Sequence, residues 1–588
     1  MRDRLLIRHF LWRFLEHDLV SPNIDRRGWL SAVGGALIGV SLFLAILIAT
    51  PYQFFNQMPP GLVSIQSLDD RYVFISASML VMALVAVAQW DALALDGRDT
   101  QVLGPLPIPT RVIVRSKVAA TALLAAAAVV GWNLPPALLR AAAVPIVLRI
   151  GWGGLLTLTV AQGVSTIGAG AFGFLAVLGV REFVYASLGP TRFGRVSAAV
   201  QAVLVVVLTT ALLLIPASAR GVARRLAQGS PVYRALPVVW FIGLHETLAG
   251  SIVDRLPRTQ PEPMLKTAER DATELYRSLW PLYRELAHVA TVACLVVMVT
   301  TMLAFVWSHR RLPMTVSRPL SQDGTLRRAW TWSVIRVIAR TPLRQAGFFF
   351  TSQTLSRSVT HRVVMAISLA IGLSLVLVVV SGRVSAGSDV RSIPLALLAT
   401  QPLLISTVVI GFRHATRMPA ELRASRTFHL TLTGHAAPYR SGVKRAGWLL
   451  VVGPTLLALT VWETATLGPR VALFHLGIGL SLSALVIETV FVRDRHVPFA
   501  SGYVPSGDAK VTGLACLMSV VLGAFGLAWV ERQALETMTG YGALLAILVG
   551  LCVAVRAFDR TSQDLRAALE FDEEAPLPTQ RLNLAETG

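Results

Sequence analysis

Twelve stretches of this chain stay apolar for about 20 residues each, the length at which an α-helix crosses a bilayer core of about 30 Å. They fall at 29–50, 72–93, 117–138, 150–180, 196–216, 286–308, 363–382, 392–412, 446–463, 471–492, 510–530 and 538–557. Val363 to Ser381 carries no charge at all. The stretch 150–180 is long and rich in glycine (Gly151, Gly153, Gly154, Gly163, Gly168, Gly170), which leaves it open to being tilted, broken or re-entrant. The pattern predicts an all-α polytopic membrane protein of about 12 transmembrane helices.

Mixed polar and apolar segments punctuate the spans. Residues 1–20 interleave bases with Leu5, Leu6, Ile7, Phe10, Leu11, Phe14 and Leu15, the pattern of an amphipathic helix lying flat at a membrane surface rather than of a secretory leader. Residues 327–358 repeat it, with Trp330, Trp332, Ile335, Val337, Ile338 and Phe348 to Phe350 among Arg328, Arg336, Arg340, Arg344 and Arg357. One span in each group opens on the same spacing, Pro109-Thr-Arg111-Val-Ile-Val114-Arg115 and, 329 residues later, Pro438-Tyr-Arg440-Ser-Gly-Val443-Lys444. Such repetition predicts two similar six-span halves with interfacial N-terminal helices, 1–311 and 325–560. A linker at 312–324 joins them, and an acidic, partly disordered cytoplasmic tail follows at 561–588. Only the first half has a long connection, 217–285. It is expected outside the membrane, with two amphipathic helices at 217–228 and 265–285 and with Trp240 and Trp280 at the interface.

Composition agrees: 54% of residues are hydrophobic, mean hydropathy is +0.61, and 15% are charged, against about 25% in a soluble domain. The net charge of +21 would suggest a nucleic-acid partner, but topology accounts for it. Bases crowd the loops expected inside: Arg98, Arg111, Arg115 and Lys117; Arg413, Arg417, Arg423 and Arg426; Arg493, Arg495 and Lys510. The short loops expected outside are poorer, with Asp69, Asp70 and Arg71 in one and Glu531, Arg532 and Glu536 in another. Positive residues mark the inner side, so both termini are placed in the cytoplasm and no nucleic acid is invoked.

Candidate chemistry is sparse. No lysine follows a glycine, so the chain lacks its own phosphate-cradling loop. His245-Glu246 has no second histidine at helical spacing and reads as a surface or loop pair. Cys294, Cys516 and Cys552 lie within spans and form neither a disulfide framework nor a metal spacing. No catalytic, cofactor-binding or metal-ligating set emerges, and an enzyme is not expected. Glu488 is the one carboxylate well inside a predicted span, with Asp91 and Glu182 at span ends. A charge in the bilayer costs about 2.5–3.5 kcal/mol or more, which makes Glu488 a functional candidate. His475, near the end of the same span, reads as a solvated interface histidine. Few buried titratable groups argue against an ion-coupled carrier.

The connection after the second span runs Leu103-Gly-Pro105-Leu-Pro107, then Arg111, with Lys117 opening an apolar helix. This form resembles the permease subunits of type-2 ATP-binding-cassette exporters. In that family a flat N-terminal helix precedes six spans, and the loop between spans 2 and 3 docks on the ATPase. The resemblance covers the architecture of both halves. Its motif covers only Leu103–Lys117, and the second copy keeps Pro438 alone of the prolines. It implies a tandem fusion of two six-span permeases with a central pathway, set in a bacterial cytoplasmic membrane. It implies a separate ATPase in two copies, which binds the ATP, so that this chain holds no cofactor. The docking loops would use Arg98, Leu103, Pro105, Pro107, Arg111, Arg115 and Lys117, and Arg423, Arg426, Pro438, Arg440 and Lys444. The cargo would be amphipathic or lipid-like. The residues themselves leave open a secondary transporter or channel, or a permease-fold membrane enzyme or scaffold without transport. They offer no account of the turn in Pro498–Lys510.

Overall fold

The computed structural model describes residues 2–15, 26–57, 59–90, 108–148, 151–250, 266–310, 333, 340–386, 394–418, 437–492, 498–499 and 509–564. Among them there is no strand, and eleven helices are long and apolar enough to cross a membrane. The first predicted span contributes a shorter described apolar helix, Leu37–Tyr52. The protein is an all-α polytopic membrane protein. It divides into two compact units, Met1–Arg318 and Pro319–Gly588.

The first unit begins with α1 (Arg2–Leu15), α2 (Arg26–Ala49), α3 (Pro60–Ala88), α4 (Thr110–Leu148) and α5 (Gly151–Leu213). It continues with α6 (Ile215–Ser218), α7 (Val222–Ala227), α8 (Pro231–Ala235), α9 (Pro237–Ala249), α10 (Lys266–Ser278) and α11 (Trp280–Arg310). Within its apolar window α3 is 67% buried, against 17% for α11. The central helix is therefore α3, while α11 turns Val292, Leu295, Val299 and Leu303 outward, as a helix in lipid does. Glycines seat α5 on α3. A Cβ on Gly173 would lie 2.3 Å from the Met79 carbonyl oxygen, and one on Gly170 would lie 2.7 Å from Ser78 Oγ. Small residues allow this backbone approach where no hydrophobic force drives helices together. The glycine-rich stretch is thus an unbroken helix, and α5 kinks beyond it at Gly189, whose φ of 71° suits a residue without Cβ.

Two expectations change here. Asp69, Asp70 and Arg71 do not form an outer loop; they lie inside α3, which begins twelve residues before the predicted span. The connection 217–285 contains the amphipathic pieces α7 and α10, but also α9, an apolar helix with eight of its 13 residues buried. It packs against α3, α5 and α11. At 13 residues it is too short for a bilayer-length window to detect. Trp240 on α9 meets Phe172 edge to face, and its indole N–H donates to the Arg234 carbonyl at 2.8 Å, so its polar end is satisfied within the unit.

The second unit comprises α12 (Pro342–Arg357), α13 (Val359–Ala386), α14 (Leu395–Leu398), α15 (Thr400–Arg417), α16 (Ala437–Gly447), α17 (Gly453–Leu467), α18 (Pro469–Val490), α19 (Ala509–Ala534) and α20 (Met538–Asp564). Here α15 is central, with 78% of its apolar window buried. A π-helical turn at Trp448–Val452 joins α16 to α17. Pro454 explains it: a proline cannot donate to the carbonyl four residues back and its ring crowds that oxygen, so the ladder widens. The interfacial helix α12 packs against α16 through two glycines. A Cβ on Gly347 would lie 2.2 Å from the Tyr439 carbonyl oxygen, and one on Gly442 the same distance from that of Arg344. Phe499 gives the turn after α18 its account. Its φ is 65°, its N–H donates to the Thr416 carbonyl at 2.8 Å, and its ring packs against Phe350 and His361.

Candidate functional site

Of the basic-loop residues, Arg98, Leu103, Pro105, Pro107, Arg423 and Arg426 lie outside the described residues, as does Asp91. Arg111 and Arg115 are exposed on the first turns of α4. Lys117, two residues further, is buried, with its ammonium 4.9 Å from the centre of the Phe10 ring on α1. Pro438 and Arg440 are partly buried at the start of α16.

Lys444 and Glu488 come together. Lys444 Nζ donates to Glu488 Oε2 at 2.6 Å, Arg556 Nε donates to Glu488 Oε1 at 2.8 Å, and Asp559 Oδ2 stands 3.9 Å from Lys444. Both oxygens of the candidate intramembrane carboxylate are therefore held by cations from α16 and α20. This is how a charge survives in an apolar setting, and it gives Glu488 a structural task.

A second cluster sits under α9. Arg71 on α3 pairs with Glu246, whose other oxygen accepts a 2.5 Å hydrogen bond from the Tyr276 hydroxyl; His245 Nδ1 lies 3.2 Å from Glu246 Oε1. Arg71 is 1% exposed and Glu246 0%, so His245-Glu246 is not a surface pair. Burial pushes the Glu246 carboxyl up, but Arg71 and His245 outweigh it and hold it at about 2. Burial and the neighbouring Glu246 push the Tyr276 phenol up. Around this centre, Asp69 accepts from the N–H groups of Gly221 and Val222 at 2.9 and 3.0 Å, and Glu269 from those of Gly61 and Leu62 at 2.8 and 3.2 Å. Carboxylates thus cap helix starts on both sides and lock the connection onto α3.

The third cluster lies in the second unit, where α17, α18 and α19 each bring one titratable residue. His475 Nδ1 hydrogen-bonds Glu531 Oε1, while His475 Nε2 stands 3.4 Å from Glu463 Oε1, too poorly aligned for a hydrogen bond. All three are 0% exposed. Both oxygens of Glu463 and Oε2 of Glu531 are buried without a hydrogen-bond partner, as are both polar atoms of Gln401, packed on Gly479. His475 is therefore not a solvated interface residue, and buried titratable groups are not scarce. Sequence reasoning missed this site because Glu463 and Glu531 sit at the edges of apolar windows; only the packing of three helices turns three end residues into one cluster.

An apolar groove of about 630 Å³ lies between α4, α5 and α11, lined by residues including Val129, Phe174, Leu178 and Met302, with Lys117 and Thr121 at one end. No family model, no curated protein and no solved structure matches this chain.

Proposed function

We propose that the chain is the membrane-spanning subunit of an ATP-driven exporter, powered by two copies of a separate ATP-binding-cassette ATPase. One observation carries this reading. In each unit a helix from a basic, surface-lying segment packs against the start of a span that opens on Pro-x-Arg: α1 on α4, and α12 on α16. Each pair makes a rigid footing for the loop just before the span. A partner can bias a membrane protein only through contacts that differ between its states, and such a footing would pass those contacts into the span. Exposed Arg111 offers a cation to an acidic partner surface. The groove beside Lys117 supports an amphipathic or lipid-like cargo, since its walls suit an acyl body and its end suits a polar or anionic head.

The test is isolation of the full chain from its native membranes. An ATPase with a phosphate loop should co-purify, and its hydrolysis should respond to lipid-like compounds. A chain that purifies alone and moves such compounds without ATP would overturn the reading. The result would favour a carrier powered by an ion gradient, the second reading, for which the buried cluster at His475 speaks.

A further inference from the structure

We propose that Glu463, His475 and Glu531 form a proton-binding site inside the second unit, one helical turn from a neighbouring cavity. The inference holds under either reading of how transport is driven.

Charge counting comes first. With His475 protonated and both carboxylates ionised the cluster carries one net negative charge, at 0% exposure on all three residues. One further proton makes it neutral. Burial disfavours the charged state, and three groups in contact titrate as one coupled set rather than independently. His475 already bonds Glu531. Glu463 is the group left over, both of its oxygens being buried without a hydrogen-bond partner. The added proton belongs to the coupled set and turns one of its two carboxylates into a carboxylic acid; on release it passes back to water.

The surroundings favour a proton over a metal ion. His475 faces both carboxylates with its ring nitrogens and already occupies the space between them. Among the described residues no three His, Cys, Asp or Glu side chains are arranged to hold a metal ion. The other packed elements add little charge. On α18 Arg470 lies more than one turn away, lining the cavity. Arg532 on α19 and Glu536 in the turn just after it are exposed. On α20 the Tyr541 hydroxyl donates to the Phe474 carbonyl at 3.3 Å. On α15 the neutral Gln401 packs one helical turn from His475, while Arg413, His414 and Arg417 lie more than three turns further along.

A cavity of about 290 Å³ is lined by Arg470, Phe474, Glu536, Thr537 and Tyr541. Val471 and Leu535, also in its lining, stand four residues from His475 and from Glu531, so the cavity comes within one helical turn of the cluster. Its walls carry hydroxyls and charges, which hold water as an apolar void does not.

The test is an infrared titration of the full chain in phospholipid vesicles between about pH 4 and pH 9, which spans the ordinary ranges of carboxylic acids and imidazole. The wild type should show a buried protonated carboxyl band that disappears as pH rises. Glu463→Gln should abolish it, and Glu536→Gln in the cavity wall should leave it in place. No titrating carboxyl in the wild type would overturn the proposal, a result that needs no variant to fold. An unchanged band in a folded Glu463→Gln protein, with folding checked by melting temperature, would overturn it equally.

Discussion

Lys444 Nζ sits 2.6 Å from Glu488 Oε2 and so joins the last turn of α16 to the end of α18. The repeat spacing marks Lys444 as a loop base and hydropathy marks Glu488 as an intramembrane charge; the fold makes them one pair. Arg556 closes the other oxygen of Glu488 from α20.

Glu488→Gln should therefore lower stability, by about 1–3 kcal/mol. That is less than the 3–5 kcal/mol of a dry pair, because the Arg556 side chain is 52% exposed and partly screened. Replacing both partners, Lys444→Met with Glu488→Leu, should cost less than the two single changes together, since neither Lys444 nor Glu488 is then left facing an apolar residue as a charge. Melting temperatures in detergent measure this. A Glu488→Gln protein that melts like the wild type and loses only transport would make Glu488 a transport group instead.

The Glu246 carboxyl has an ordinary value near 4.5 and is held at about 2 in the folded unit. The folded state binds that proton less readily than the unfolded chain. Its contribution to stability is complete above the unfolded value and is lost as pH falls through the folded one, a loss on the order of 3 kcal/mol. Melting curves taken from about pH 7 down to about pH 2.5 should fall more steeply for the wild type than for Glu246→Gln. Parallel curves would exclude Glu246 as the source. Arg71→Met should be the most damaging change here, because it strands a buried carboxylate.

Gly347 and Gly442 face carbonyl oxygens at 2.2 Å from where a Cβ would stand. Alanine at either position should push α12 off α16 and cost about 1–3 kcal/mol. Gly523, inside α19, has nothing within 4 Å of its Cβ position, and there alanine should be neutral or stabilising by about 0.5–1 kcal/mol. Equal effects at all three positions would mean that helix propensity, not contact, governs the two close sites.

Much of this fold is legible in the sequence because a bilayer demands helices of one length, so the apolar stretches report themselves. What escapes the reading is what that length does not govern. Helix α9 is apolar but has only 13 residues. Asp69 to Arg71 look like a polar loop until Glu246 and the N–H groups of Gly221 and Val222 supply partners from more than 150 residues away. Glu463, His475 and Glu531 each have an ordinary place near a helix end, and their chemistry exists only where α17, α18 and α19 meet. Helix periodicity states which face a residue occupies, but not which helix comes to that face.

Coupling to a partner ATPase gives the last prediction. Arg111 is exposed on the first turn of α4, whereas Arg440, at the equivalent place in the repeat, is partly buried and its loop keeps only Pro438 of the prolines. Removing one partner of a buried interfacial charge pair costs about 2–5 kcal/mol, and reversing the charge costs more. Arg111→Glu should therefore abolish ATPase co-purification while leaving insertion and yield intact, and Arg440→Glu should have the weaker effect. If both arginines only meet lipid phosphates, each is worth about 1 kcal/mol near an anionic surface. In that case Arg→Lys would be silent at both places, and Arg→Glu would lower membrane yield equally in the two units. Equal, yield-only effects would remove the docking role, and loss of the partner at position 111 alone would establish it.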